Sequence, residues 1–432
     1  MGELGHALAL IDKALAIQPG EPTLTDAYAR TLLAKGELYR AEAWAKELIV
    51  STGPKLLSVL TTALTTSLVA STRRKMIDLF GTDWAATVRL AGEVTNPPTS
   101  QIDDNTSRHL TRFINESDFA MHKNAPHPVS CPACGEDRRI IRRNRAPLTN
   151  AFHLYFDLAR LASEMSPGKP DDASALRGAE NFLVTVARSN PAYFSVGLCE
   201  CRGCGICYVD HPFKPDQVKR YYASEARSYE IGSKAIFSRA HAYNWVKTKA
   251  APIAYLRGRL VKPFTGLSFL DAGCAEGIMC ALMRLLGAEA SGVEPNTRAC
   301  LCAQEILGLK DVVEGVYGDA SFTNRTFDIV LSHHTMEHTL DPPQFARSLA
   351  RHTAPGGHLL LQLPCADIAD EYHFAGMGNY HLFGFRRAYL QKQLTDLGFE
   401  IIEAHHLPPP TSLEKGQIDP VTGNPFWGEE KN

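Results

Sequence analysis

The chain has 432 residues, of which 44% are hydrophobic and 21% are charged, and its formal net charge is −2. This length is too great for one typical domain, and the near-zero charge excludes a global attraction to nucleic acid or membrane. No run approaches the roughly 18 apolar residues of a membrane span, and the charged, amphipathic start lacks the apolar core of a signal peptide. We therefore expect a reducing cytoplasm, where clustered cysteines indicate metal before disulfides.

The N-terminal residues carry a repeated pattern. The segments GELGHA and GELYRA recur at an offset of 34 residues, which places Ala7 and Ala41 in register. Small residues at such positions let antiparallel helices pack closely. The pattern resembles tetratricopeptide repeats, which implies a surface for a possible protein partner. A plain helical hairpin with a chance period is the alternative. A further helix predicted at Pro54–Ser71 completes a helical region over residues 1–71.

Residues 72–130 form a mixed segment with little functional signal. We predict a helix near Trp84–Glu93, then a polar linker, then a short helix near His109–Phe119. At the other end of the chain, residues 411–432 are assigned to a C-terminal tail.

Two cysteine pairs of the same form follow, CPACG at Cys131–Gly135 and CRGCG at Cys201–Gly205. Each pair offers two thiolates, and the glycine after the second cysteine permits a tight turn. Four thiolates form a closed tetrahedral site, so the pairs predict a structural zinc ion in a zinc ribbon over residues 131–213. The predicted ligands are Cys131, Cys134, Cys201 and Cys204.

The sequence around the pairs leaves a second metal assignment open. Cys199 and Cys207 add to the second pair, so that four cysteines fall within nine residues. An iron–sulfur cluster is the alternative that could use this run, whereas the two matching pairs favour zinc. Helices predicted at Asn150–Glu164 and Ala173–Arg188 separate the pairs and give the ribbon a helical insertion.

Residues 214–410 are assigned to one domain, and from Gly266 its pattern alternates between strands and helices, which indicates a parallel sheet with crossovers. After helices predicted at Gln217–Tyr222 and Phe237–Arg257, a strand at Leu267–Leu270 runs into the turn DAGCAEG, and a helix and a strand ending in Glu294 follow. Glycines let the backbone approach a ligand, and an acid at that strand end can accept both hydroxyls of a ribose. The turn lacks the GxGxxG spacing of dinucleotide-binding sites, and no P-loop lysine follows.

These motifs resemble class I S-adenosylmethionine-dependent methyltransferases. D-x-G-x-x-x-G and Glu294 match the first motif and the following acid, with Ala275 where the family often has glycine. The segments DVVEGVYGDAS and TFDIVLSHHTMEH, the helix–PGG–strand unit at Pro355–Gly357 and the terminal strand GFEIIEA follow in the family's order. The resemblance implies S-adenosylmethionine as cofactor. The implied cofactor-binding residues are Asp271, Gly273, Cys274, Gly277, Glu294, Asp319, Ala320 and His333.

The fold class that we expect is α/β. The resemblance implies a Rossmann-like class I methyltransferase domain with a seven-stranded, mostly parallel sheet. The zinc ribbon with its helical insertion and the N-terminal α-helical repeat region precede this domain.

Three residues are candidates for catalysis. Glu337 and His338 follow the fourth strand, at the edge where open α/β sheets bind ligands. Histidine titrates near neutral pH, so His338 is a candidate base, and a purely structural role is the alternative. His381, in NYHLFGF, matches a histidine that often faces the acceptor in related enzymes, with an ordinary surface position as the alternative. Tyr222 and Tyr229 resemble an aromatic lid, or else pack within helices.

Three functions remain in competition. A zinc ribbon directly before this core resembles sugar C-methyltransferases and related glycan enzymes, which implies methylation of oxygen or carbon on a small-molecule or glycan acceptor. An RNA methyltransferase would use the ribbon and the basic cluster Asp137–Arg145, but the net charge and the lack of aromatic–basic interleaving make a nucleic-acid partner the weaker expectation. A non-catalytic scaffold would bind partners through the repeat helices, and the intact Asp271, Gly273, Gly277 and Glu294 disfavour it.

Overall fold

The structure is a computed structural model. It describes residues 3–19, 21–51, 57–80, 104–123, 130–143, 156–168, 173–189, 197–209, 213–223, 239–260, 263–318, 321–368 and 381–404. The helix predicted near Trp84–Glu93 and the C-terminal tail lie outside these ranges. Within the described part of the chain, no helix has both the length and the hydropathy that a membrane crossing requires.

The helices and strands are numbered in chain order. The α-helices are α1 (Glu3–Ile17), α2 (Pro22–Ala34), α3 (Leu38–Ser51), α4 (Leu57–Phe80), α5 (Asp104–Asn115), α6 (Asp118–Lys123), α7 (Leu158–Met165), α8 (Ala173–Ser189), α9 (Pro215–Ala223), α10 (Arg239–Arg259), α11 (Ile278–Leu285), α12 (Thr297–Leu301), α13 (Pro342–His352) and α14 (Arg387–Asp396). The strands are β1 (Arg139–Arg143), β2 (Gly197–Cys201), β3 (Cys207–Val209), β4 (Ser268–Ala272), β5 (Glu289–Glu294), β6 (Val312–Glu314), β7 (Phe327–His333), β8 (Thr353–Gln362) and β9 (Phe383–Gly384).

A parallel sheet of five strands forms the C-terminal half, in the order β6-β5-β4-β7-β8. The central strands β4 and β7 contain buried, mostly apolar runs, FLDA and IVLS, because helices cover both faces of a parallel sheet. Since every strand runs the same way, the carboxyl ends of β4, β5 and β7 meet at one edge. Ligands bind at this edge in open α/β sheets.

The expectation of seven strands is corrected to five for the described residues. The predicted terminal strand falls on Phe399–Ala404, which follow α14 and have no strand pairing. The physical reason lies in the packing there. Helix α14 has no buried side chain, and most of β8 is only partly buried, so this edge offers little apolar surface for a further strand to cover.

The predicted PGG turn forms a bulge within β8 rather than a turn before it. Strand β8 first pairs with β7 at Thr353 and pairs again from His358 onward, so Pro355–Gly357 stand out of the ladder. A Cβ on Gly357 would lie 2.8 Å from the carbonyl oxygen of Ala354. Glycine is therefore required where the chain folds back on itself.

A second sheet is antiparallel and has the order β1-β2-β3-β9. Its first three strands come from the segment that carries the cysteine pairs. Its fourth strand, β9, comes from beyond the parallel sheet, with Tyr208 opposite Phe383 and Cys207 opposite Gly384. The two sheets are therefore joined through the chain near residue 383.

Helix α4 connects the N-terminal helices to the parallel sheet. Residues 59–70 are buried on every side, because α2 and α3 cover one face and α10 covers another. Its threonines satisfy their hydroxyls within the helix, as when Thr65 Oγ1 donates to the Thr61 carbonyl at 2.7 Å. Helix α4 runs to Phe80, past residue 71 where the predicted helical region ends.

Candidate functional site

The glycine turn (Asp271–Gly277) links β4 to α11. The amides of Gly273 and Cys274 both donate to the carbonyl of Val293 at 3.0 Å, which fixes the turn against β5. Gly273 has φ +91°, and a Cβ there would overlap the Thr335 side chain. Gly277 has φ +77°, so a side chain at either position would be strained as well as crowded.

Glu294 lies at the end of β5 and is 6% exposed. Its two carboxylate oxygens accept from the amides of Ala275 at 3.0 Å and Asn296 at 2.9 Å. The side chain is held in place beside the glycine turn, in the position that the sequence predicts for a ribose ligand.

Asp271 and Lys249 place opposite charges beneath the turn. Burial raises the pKa of Asp271 to about 7, against the lowering effect of the Lys249 charge. Its Oδ1 has no hydrogen-bond partner among the described residues. Burial lowers the pKa of Lys249, while the charges of Asp271 and Glu276 oppose this shift. A buried carboxyl with an open acceptor atom, next to an ammonium group, suits a ligand that carries both charges.

Lys249 is not among the residues predicted from the sequence. A signal existed, because Lys249 shares the apolar face of α10 with Val246, Ala250 and Ile253, all of them buried. A lysine on a buried helix face needs a partner. The partner here is His333 of β7, a strand that the sequence does not connect with α10.

His333 joins the two halves of the site. Its Nδ1 lies 2.6 Å from Lys249 Nζ, and its ring centroid lies 4.5 Å from that of His334. Burial and then the Lys249 charge lower the pKa of His333 well below its usual value, so the ring is neutral and Nδ1 can accept from the ammonium.

Glu337 lies in a short 3-10 turn, Met336–His338, just after β7. The approach to this turn is strained, because His334 adopts the left-handed region with φ +53°. Glu337 is fully buried, and its Oε1 lies 3.3 Å from His334 Nδ1 and 3.8 Å from His338 Nε2. Burial would raise the pKa of Glu337, but the hydrogen bond from His334 and the charges of His338 and His381 lower it to about 2.

Glu337, His338 and His381, termed here the Glu–His cluster, come together although residue 381 is far from 337 in sequence. The rings of His338 and His381 are 4.9 Å apart, and Tyr222 contributes a ring 6.0 Å from His338. The Tyr222 carbonyl accepts from Asn296 Nδ2 at 2.7 Å, which ties α9 to the end of β5. An ionised Glu337 beside His338 would stabilise the imidazolium formed when His338 takes a proton.

The Glu–His cluster also has the donor set for a divalent cation. One ligand atom from each side chain lies within 4.8 Å of the others. Glu337 Oε2 is buried and has no hydrogen-bond partner among the described residues. Carboxylate and imidazole ligands suit several divalent metals.

The cysteine cluster comprises Cys131, Cys134, Cys201 and Cys204. Their sulfurs all lie within 4.8 Å of one another, with Cys131–Cys204 at 3.8 Å and Cys134–Cys201 at 3.5 Å. Zn–S bonds of about 2.3 Å in a tetrahedron place sulfurs about 3.8 Å apart, so the arrangement fits a zinc ion. Hydrogen bonding by Cys204 lowers the pKa of Cys131 to about 5, which favours a thiolate.

The two cysteine turns have the same backbone. Gly135 and Gly205 have φ of +77° and +75°, and their amides donate to the carbonyls of Cys131 and Cys201 at 2.8 and 3.0 Å. The tight turn that the sequence predicts after each second cysteine is therefore present. All eleven cysteines, the spare Cys199 and Cys207 included, are free of disulfides.

The predicted site residues fall into three groups. Those of the glycine turn, Glu294 and His333 converge at the carboxyl edge of the parallel sheet, and the Glu–His cluster lies beside them. The four cysteines form a separate cluster. Asp319, Ala320 and Tyr229 lie outside the described residues.

Part of the C-terminal half is similar to known methyltransferases. Residues 246–404 match the family model described as "Methyltransferase domain". The chain is 28% identical over 157 residues to a ubiquinone biosynthesis O-methyltransferase from Parvibaculum lavamentivorans, which covers 34% of this chain and 61% of the relative. It is 29% identical over 212 residues to the protein of that name from Mesorhizobium japonicum, covering 43% and 82%. The chain thus spans about three fifths of the first of these relatives.

Two solved structures show limited similarity. An S-adenosylmethionine-dependent methyltransferase from Mesorhizobium loti has a TM-score of 0.31 at 17% identity, covering 36% of this chain and 82% of that one. Magnesium protoporphyrin IX methyltransferase from Synechocystis PCC 6803, with bound SAH, has a TM-score of 0.34 at 19% identity, covering 44% and 91%.

Proposed function

We propose that residues 246–404 are a class I S-adenosylmethionine-dependent methyltransferase domain. On that premise, the chain methylates an oxygen or carbon atom of a small-molecule or sugar acceptor. The observation that carries the proposal is the meeting of two half-sites at one sheet edge. The glycine turn with Glu294 suits the donor, and the Glu–His cluster suits an acceptor that must lose a proton. Relatives named as O-methyltransferases favour oxygen.

On the donor side, Glu294 would accept from the ribose hydroxyls. Lys249 would bind the carboxylate of the donor's amino-acid end. Asp271 would accept a hydrogen bond from the ammonium group at that same end of the donor. The bound donor supplies an activated methyl group. The protein's tasks are then to orient both molecules and to exclude water.

On the acceptor side, His338 would take the proton that leaves the acceptor hydroxyl, with Glu337 stabilising the resulting charge. His381 and Tyr222 would form the walls that orient the acceptor. His333, neutral and bonded to Lys249, would line the donor side.

The first test is calorimetry with S-adenosylmethionine. We expect binding by the full chain and sharply weaker binding by Glu294→Ala, because the ribose hydroxyls lose their acceptor. A folded wild-type protein that does not bind would overturn the proposal. A methyl-transfer screen with labelled donor across phenols, nucleotide sugars and tRNA then identifies the acceptor class. Methylation of tRNA alone would favour the RNA alternative.

We also propose that the cysteine cluster holds one structural zinc ion, supported by the sulfur spacing and the two matching turns. Four thiolates leave no open position, so this zinc would take no part in chemistry. Metal analysis should find about one zinc per chain. Iron in its place would favour the iron–sulfur alternative. The free cysteines fit a reducing compartment such as the cytoplasm.

For the N-terminal helices we propose a tetratricopeptide-like surface that binds a protein partner. Support comes from Ala41 and Ala45, which are fully buried between helices, and from Tyr39 and Val50, which are 75% and 81% exposed. Tyr39→Ser with Val50→Ser should abolish co-purification of a specific partner while donor affinity is unchanged. Identical co-purification by this variant would contradict the proposal.

A further inference from the structure

Strand β9 belongs to the antiparallel sheet of the cysteine turns, yet it begins two residues after His381 of the Glu–His cluster. Its pairing with β3 is antiparallel, and β3 follows the second cysteine pair by three residues. The chain therefore passes from the acceptor side into the sheet of the cysteine cluster within two residues.

Leu382 is bonded on both sides at this crossing. Its amide donates to the Glu337 carbonyl at 2.7 Å, and its own carbonyl accepts from the Val209 amide at 3.1 Å. The backbone that carries His381 is thus fixed to Glu337 on one side and to β3 on the other. The buried Phe385 adds a third tie, because its carbonyl accepts from the Ala366 amide at 2.7 Å.

Arg386 connects the same segment to the second cysteine turn. Its Nη2 lies 2.6 Å from Glu200 Oε1, and its Nε donates to the Gly205 carbonyl at 3.2 Å. Glu200 directly precedes Cys201, and Gly205 directly follows Cys204. The rigid guanidinium therefore contacts the residues that flank two predicted zinc ligands.

Gly205 itself is fitted to this contact. Its φ of +75° requires glycine, and a Cβ there would approach Arg386 Cδ to 3.2 Å. A change in the fold of the cysteine turn would move the Gly205 carbonyl and so move Arg386.

We infer that the cysteine-bearing sheet is a wall of the acceptor site and that Arg386 is the positioning residue through which it orients His381. This inference rests on the proposed function. The amide of Leu382 reaches Glu337, and the bonds of Phe385 and Arg386 fix the same segment to Ala366 and to the second cysteine turn. Glu294 and Asp271 are held by other elements. The cysteine-bearing sheet therefore contributes to the acceptor site, and donor binding belongs to the parallel sheet.

The test compares Arg386→Ala with Arg387→Ala in the full chain, since Arg387 is the exposed neighbour and keeps its backbone bond to Asp367. The readout is the ring-nitrogen NMR signal of His381, identified by its loss in His381→Asn. We expect this signal to shift in Arg386→Ala and in metal-depleted protein, and to stay fixed in Arg387→Ala. Calorimetry should give a donor Kd within about twofold of wild type, as for uncoupled sites.

With the acceptor found by the methyl-transfer screen, the acceptor KM should rise by up to about tenfold in Arg386→Ala, the equivalent of one charge-assisted hydrogen bond, because His381 is no longer held in place for the acceptor. Arg386→Lys keeps the ion pair with Glu200 and should restore part of this loss. Where Arg386→Ala does not fold, Glu200→Gln probes the same contact from the other side. An unmoved His381 signal in the folded variants would overturn the inference. A folded wild-type protein that does not bind S-adenosylmethionine would instead overturn the proposed function.

Discussion

A buried carboxyl and a partly buried ammonium group define the donor side at the residue level. Lys249 reaches the site from α10 and Asp271 from the end of β4, and both have pKa values displaced mainly by burial. Such a pair is costly to keep out of water unless a ligand completes its hydrogen bonds. The open Oδ1 of Asp271 is the atom at which a ligand would do so.

Lys249→Met should weaken donor binding by about 10- to 100-fold, because the carboxylate of the donor loses a charged hydrogen-bond donor. Calorimetry measures this directly. Lys247→Met is the matched control, since Lys247 is an exposed lysine two residues away on the same helix. Equal affinities for the two variants would remove Lys249 from the donor site.

Asp271→Asn should make the donor-free protein more stable than wild type at about pH 8, by at most about 4 kcal/mol. The folded pKa of about 7 lies above the ordinary 3.8, so the folded state holds a proton that the unfolded state releases. Wild-type stability therefore falls as pH rises from 3.8 to 7, and the asparagine variant lacks this fall.

Urea unfolding across this pH range tests the expectation. The difference in stability between Asp271→Asn and wild type should close as the pH falls toward 3.8 and below, where Asp271 is protonated in both the folded and the unfolded state. Saturating S-adenosylmethionine should stabilise the wild type more than the variant. A gap that is independent of pH would contradict the raised pKa of Asp271.

The sequence predicts these site residues unevenly. The position of Glu294 beside the glycine turn was predictable because it depends on local order, a strand that ends in an acid after a glycine turn. Lys249 and the approach of His381 to His338 were not, because they arise from packing between elements distant in sequence. The strained backbone of His334 likewise has no sequence signal, since histidine carries no preference strong enough to mark a left-handed position.

At the level of elements, the glycine turn departs at Ala275 from the family that its sequence resembles. The sequence suggests a harmless change, since alanine is nearly as small as glycine. The structure shows that the position has φ +48°, where a Cβ is unfavourable whatever space surrounds it. Backbone conformation, rather than side-chain volume, explains the glycine that is common in the family.

Ala275→Gly should therefore raise the free energy of unfolding by about 1 kcal/mol through relief of that strain. Denaturant unfolding measures the change. Ala272→Gly, in β4, is the control and should lower stability by about 0.5–1 kcal/mol, because glycine weakens a strand. The prediction fails if the two variants shift stability in the same direction.

The order of strands and helices around β4, β5 and β7 follows the sequence pattern closely, because long apolar runs and helix stops are local signals. The terminal strand was predicted from the same kind of run in Phe399–Ala404, but it has no pairing there. A strand exists only with a neighbour, and a single segment cannot reveal whether its neighbour is present.

At the level of the whole molecule, the helical region does not stand apart from the parallel sheet. Leu60, Leu64 and Leu68 of α4 belong to the same core cluster as Val246 and Ile253 of α10. Domain limits inferred from composition cannot detect such a shared core. The cysteine-bearing sheet likewise takes its last strand from beyond the parallel sheet.

A chain that begins at residue 81 should therefore fail to fold. Removal of α4 exposes the apolar face of α10, at about 1.5–3 kcal/mol for each large side chain, which together approach the whole stability of a domain. A chain that begins at residue 21 loses only α1 and should keep its donor affinity. Circular dichroism and calorimetry compare the two. Normal donor binding by the shorter chain would show that the sheet folds without α4.

The burial of α4 on all sides also has a consequence for synthesis on the ribosome. Its partner α10 emerges roughly 160 residues later, a delay of about 8–30 s at ordinary rates of translation. During that interval one apolar face of α4 has no native cover. The nascent chain therefore passes through a stage at which a chaperone, or an early non-native contact, competes for this helix.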